Sequence, residues 1–184
     1  MNALLLLLAI HTFPQCGVRF ELPRGWTAVV EPVEADDREA EQCDIGIRPP
    51  HYAKQLAETQ WDAEDPPMTL TVFKVPFDEA LTNAGFEKRE ERGLGMEGGY
   101  GSFAAAQEYR LGKWTGWEAD TFYRGFAKDA AKLDPDELRV YSGDIAHIVV
   151  KDRRHVVGVE CTGGVREHTF NCGDAAAGLL KSLR

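Results

Sequence analysis

Two apolar runs near the end of the chain, Ile145-Ala146-His147-Ile148-Val149-Val150 and Val156-Val157-Gly158-Val159, are separated by the polar triplet Asp152-Arg153-Arg154. Neither run alternates apolar with polar residues. A strand that is apolar on both sides has no face to give to water, so it belongs in the middle of a sheet that is covered above and below. The polar triplet between the runs reads as the tip of an antiparallel hairpin, with arms Leu138–Lys151 and His155–Thr162. The rest of the fold must supply that sheet's neighbours and its covers.

The neighbours are readable from β-propensity and punctuation. Val18–Leu22 and Trp26–Val30 are short strands around Pro23-Arg24-Gly25. Asp44–Arg48 is a third, stopped by Pro49-Pro50. Met68–Val75 alternates and is rich in β-formers. Phe103–Leu111 and Thr115–Gly125 form a second hairpin turning at Gly112-Lys113. Helical signals are fewer. Tyr52–Gln60 and Phe126–Leu133 are weak. Pro76 opens a short helix through Asn83 that Gly85 ends, the expected proline-in, glycine-out order. The last segment, Asp174–Leu183, has Ala176, Leu179, Leu180 and Leu183 at helical spacing, with Asp174 or Asn171 as its cap. Strands, a short helix, more antiparallel strands and a terminal helix predict an α+β fold: a single antiparallel sheet covered by helices, the C-terminal helix packed on it.

The start of the chain bears on where this fold works. The first sixteen residues contain no Asp, Glu, Lys or Arg, and Ala3–Ile10 is unbroken apolar sequence. That matches the core of an export signal, although the basic start and the small-residue cleavage site are missing. The run is too short to span a bilayer, which takes about 20 apolar residues. The expected division is a signal-peptide-like leader, 1–16, cleaved somewhere in His11–Cys16, and a single domain, 17–184. The alternative is an N-terminal strand. Export places the four cysteines, Cys16, Cys43, Cys161 and Cys172, in an oxidising compartment that favours disulfides. Cys161 and Cys172 flank Gly163-Gly164 and are expected to pair, leaving Cys16 for Cys43. No CxxC spacing supports zinc or redox chemistry. The formal net charge of −9 argues against nucleic acid and against an anionic membrane surface. The expected location is periplasmic or extracellular, with no integral membrane span.

The stretch Phe20-Glu21-Leu22-Pro23-Arg24-Gly25-Trp26 resembles the opening of PsbP-like domains, in which a strand leads through Pro and Gly to a Trp. Glu108-Tyr109-Arg110-Leu111-Gly112-Lys113-Trp114-Thr115-Gly116 is similar to their central hairpin, and Ala175–Leu183 to their final helix. The resemblance covers most of 17–184 in layout. It implies an α/β/α sandwich and a binding or assembly role, since exported DcrB-like proteins, a photosystem lumen subunit and a nuclear-transport factor share that fold.

Chemistry is sparse. No Gly-x-Ser-x-Gly elbow occurs, and no phosphate loop, dinucleotide fingerprint or calcium loop. Ser142 and His147 differ by an odd number and point to opposite sides of a strand. Glu118 and Asp120 share a strand face, where solvent is the ordinary partner of two carboxylates. His147, His155 and His168 are not spaced to share a metal. No catalytic residue, metal or cofactor is called for. The candidate binding surface is the glycine-rich loop, with Gly98, Gly99 and Tyr100, beside the aromatic side chains Trp114 and Trp117. A loop beside aromatics is a common recognition arrangement. The expected role is therefore a non-enzymatic exported module at the bacterial cell envelope that binds a protein partner or a small ligand. The competing reading is a hydrolase whose site draws on Ser142, His147, His155, Glu118 and Asp120.

Overall fold

A computed structural model describes residues 8–32, 42–50, 66–84, 86, 102–103, 107–122, 144–162 and 171–184. The two apolar runs form strands β9 (Asp144–Lys151) and β10 (Val156–Thr162), paired antiparallel about the Asp152–Arg154 tip. They lie inside a sheet, as their two apolar faces require. β10 also pairs with β5 (Met68–Phe73), and β9 with β8 (Trp114–Phe122). Beyond β5 come β4 (Gln42–Arg48) and β3 (Thr27–Val30). The other margin carries β6 (Ser102–Phe103) and β7 (Gln107–Leu111), both on the outer side of β8. Every pairing in this eight-stranded sheet is antiparallel.

The expectation of a single sheet is corrected. β1 (Leu8–Phe13) and β2 (Val18–Pro23) form a separate two-stranded ribbon. Its turn uses Gly17 at φ 72, a conformation that suits glycine. The ribbon does not join the large sheet because the outer edge of β2 is already engaged. Arg19 and Arg184 exchange both backbone hydrogen bonds at 2.9 Å, and Glu21 N–H donates to Ser182 Oγ at 2.9 Å.

Residue 16, the expected end of the leader, lies in the turn between β1 and β2. Phe13 and Cys16 are buried in the core, Phe13 stacks on Phe20 at 5.5 Å, and Cys16 is bonded to Cys43. The disulfide pairing itself is as expected: Cys16–Cys43 and Cys161–Cys172, with no free cysteine.

Strand alternation sorts the core into two layers. Ile45, Leu70, Val150, Val157 and Val159 face the ribbon and helix α2 (Cys172–Ser182). Phe73 and Val149 face the opposite way, against Ala80 and Leu81 of helix α1 (Phe77–Asn83). Helix α2 is capped by Asn171, whose side chain accepts from Asp174 N–H at 2.9 Å. It buries Ala176, Leu179 and Leu180 on the sheet. The fold is α+β, with the C-terminal helix packed on the sheet. No helix among the described residues is long and apolar enough to cross a membrane.

One polar joint fixes three elements together. Lys113, in the β7–β8 turn, reaches Asp152 at 2.7 Å and donates to the Leu183 carbonyl at 3.0 Å. Asp152 Oδ1 accepts from the N–H groups of Arg154 and His155, both at 2.7 Å, and so shapes the hairpin tip. Burial opposes the charge on Asp152, but Lys113 and those two N–H groups outweigh it and hold the carboxyl well below its ordinary value of 3.8. A folded-state pKa below the unfolded one contributes stability that is complete above pH 3.8 and fades as pH falls toward the folded value. Lys113 is half exposed, which weakens its share. Asp152→Asn keeps an acceptor for the tip and removes the ion pair. It should cost about 1–2 kcal/mol at pH 7. In urea titrations the gap from wild type should hold at pH 5 and close below pH 4; a gap that persists unchanged at pH 2 contradicts the assignment.

Candidate functional site

The register of the sheet places a row of side chains across its margin on the α1 face. Arg110 lies opposite Thr115, and Thr115 opposite Lys151. The next row on that face is Glu108, Trp117 and Val149. Helix α1 crosses this face because Leu81 and Ala80 pack with Phe73 and Val149. Its first residues, Phe77 and Asp78, stop short of β7. The result is a groove of about 180 Å³ lined by Trp117, Thr115, Arg110, Glu108 and Lys151 of the sheet and by Phe77 and Asp78 of α1.

The groove combines aromatic surface with charge. Trp117 is part-buried against the α1 cluster. Lys151 Nζ lies 4.4 Å from the Phe77 ring centre, a cation–π contact. Arg110 and Glu108 are 3.3 Å apart, both largely exposed, so their attraction is weak. Gly116 lies beneath the groove, where β8 and β9 approach closely. A Cβ at that position would run into the carbonyl oxygen of Val149, so only glycine lets the two strands meet there. Neighbouring Tyr109 packs partly against the α2 side of the sheet. Burial, then the charge of Glu118, raise its pKa above the ordinary phenol value.

The sequence-derived candidates divide between the two faces. Trp114 is fully buried, and its Nε1–H donates to the Leu180 carbonyl at 2.6 Å. Trp114 and Trp117 are an odd number of residues apart on β8, so the first enters the α2 layer and the second the α1 layer. Trp114, expected at a surface, therefore has none to offer, whereas Trp117 lines the groove. Gly98, Gly99 and Tyr100 lie outside the described residues, as do Ser142 and His168.

Glu118 accepts from Gln107 Nε2 at 2.9 Å, across the β7–β8 pair. The side chain of Asp120 is outside the description. His147 lies across from Glu160 on β10, with Nδ1 and the carboxylate 4.0 Å apart. Burial lowers the His147 pKa and Glu160 pulls it back up, the burial being the larger effect. His155 is at the hairpin tip, with Nδ1 3.4 Å from Asp152 and its ring 6.5 Å from Trp114. His147 and His155 thus sit on opposite faces, and neither lines the groove. Among the described residues, no cluster of His, Cys, Asp and Glu could hold a metal ion.

Most of the groove comes from residues the sequence reading passed over: Phe77, Asp78, Glu108, Arg110, Thr115 and Lys151. Part of it was available. A two-residue turn at Gly112-Lys113 sets Leu111 against Trp114, and counting back pairs Arg110 with Thr115 and Glu108 with Trp117. No comparable count brings α1 or Lys151 to the same place.

No family model matches this chain, and none of the curated proteins is detectably similar in sequence. Among solved structures, it resembles a cyanobacterial PsbP (CyanoP) from Synechocystis sp. PCC 6803, determined in solution. The match spans 100% of this chain and 96% of that one, at 9% identity and a TM-score of 0.44. The likeness to PsbP is remote.

Proposed function

We propose that this chain is an exported, non-enzymatic binding module that holds an envelope protein or a small ligand in the groove beside Trp117. The observation that carries the reading is the groove itself: an aromatic floor, two cations and two carboxylates converge from α1, β7, β8 and β9. Ligand sites commonly join apolar surface to a few placed polar groups in this way. No histidine, serine or cysteine lines it among the described residues, and its hydroxyls and charged groups are read as ligand contacts. The two disulfides favour an oxidising location, periplasmic or extracellular.

The test is a fragment screen on isotope-labelled full-length protein, read by NMR. Shifts should concentrate on Thr115, Trp117 and Lys151, and Trp117→Ala should abolish them while leaving the rest of the spectrum in place. Fragments that consistently settle elsewhere, with these three residues unmoved, would remove the groove from consideration.

A further inference from the structure

We infer that the groove selects carboxylates carrying an apolar or aromatic body, a proposal that rests on the groove being the binding surface. The sheet register supplies the reason. Arg110 and Lys151 flank Thr115 on one face of three adjacent strands, so two cationic side chains rise on either side of a hydroxyl, with strand spacings of about 4.8 Å between them. Lys151 has no carboxylate partner among the described residues; its ammonium rests over the Phe77 ring. Among the described residues Arg110 is held by Glu108 alone, an exposed pair that an incoming carboxylate competes with on equal terms. A carboxylate between Lys151 and Arg110 accepts charge-assisted hydrogen bonds from both and a third from the Thr115 hydroxyl. The next row on the same face offers Trp117, and Phe77 lines the same groove. A ligand whose carboxylate lies on the first row therefore lays its apolar part against two aromatic rings.

Asp78 and Glu108 sharpen the selection. A ligand with two acidic ends would meet one of these carboxylates at the second. The net charge of −9 does not oppose binding at this range, because salt screens charges beyond about 8–10 Å.

The same chemistry arises from a free small acid or from the C-terminal carboxylate of a peptide, and the experiment separates them. The full chain is titrated, with the Trp117 indole N–H followed by NMR, using N-acetyl-L-phenylalanine, its amide, a pentapeptide ending in free phenylalanine, and the same pentapeptide amidated. The expected result is binding of the free acid at least about tenfold tighter than of the amide, the ratio one charge-assisted contact supplies. Lys151→Gln should erase that preference while weak amide binding persists. An equally tight free-acid pentapeptide assigns the ligand to peptide C-termini; binding of the small acid alone assigns it to free carboxylates. Either outcome supports the inference. If acid and amide bind Trp117 equally, carboxylate selection is overturned and the groove survives as a binding surface. If none of the four moves the Trp117 signal, the carboxylate inference is overturned as well, and the fragment screen decides separately whether the groove binds anything.

Discussion

Trp114→Ala should lower the unfolding free energy by about 3–5 kcal/mol, the usual cost of emptying a fully buried aromatic site. Trp114 is 0% exposed and packs in the layer shared by α2 and the β1–β2 ribbon. Its Nε1–H also satisfies the Leu180 carbonyl in the last turn of α2. Orphaning that carbonyl adds about 1 kcal/mol. Domains of ordinary stability hold only about 5–15 kcal/mol in total, so the variant should melt roughly 10 °C or more below wild type in a thermal scan. Trp114→Phe separates the two contributions. It keeps most of the apolar volume and removes the donor, and should cost about 1–2 kcal/mol. It also keeps the experiment informative if the alanine variant does not fold. A loss below about 1 kcal/mol for the alanine variant would mean that Trp114 is not a core residue.

Opening the two disulfides should be nearly as damaging. Cys161–Cys172 spans 11 residues and Cys16–Cys43 spans 27. Loop-closure entropy gives about 3 and about 3.5 kcal/mol for loops of these lengths. The first ties the start of α2 to β10, and the second ties the ribbon's turn to β4. Each therefore fastens a covering element to the sheet. Cys16→Ser with Cys43→Ser should lower the guanidinium midpoint, and so should Cys161→Ser with Cys172→Ser. The unreduced wild type should show no reactive thiol after denaturation. Free thiols in that assay, together with unchanged midpoints in both double variants, would contradict the connectivity.

The parts of the fold that were readable in sequence are those whose side chains report a local period or a local stop. The β9–β10 hairpin announced itself by two apolar runs around Asp152–Arg154. Helix α1 followed from Pro76, and α2 from Asn171 and the spacing of Ala176, Leu179 and Leu180. Strand β1 was legible only as the alternative reading of the N-terminal segment. Leu8 and Ile10 are exposed while Phe13 is buried, and an unbroken apolar run carries no alternation to reveal which side faces in. The same run matches the core of an export signal by composition, so composition alone does not choose between the two. The candidate site was less legible, for a different reason. Trp117 was identifiable by type, but α1 and Lys151 reach it through pairings far apart in sequence. The odd spacing that separates Ser142 from His147 also separates Trp114 from Trp117, so the rule that excluded one pair already divided the other.

Strand β8 keys one large ring into each side of the sheet, three positions apart, with a glycine between them where no side chain fits. Sliding it by a single residue would bring both indoles out of their layers and push the Cβ of Thr115 or Trp117 into the space that Gly116 keeps clear. Misalignment is thus penalised at three sites in one step. That makes this strand the ruler against which its partners are set in length and phase.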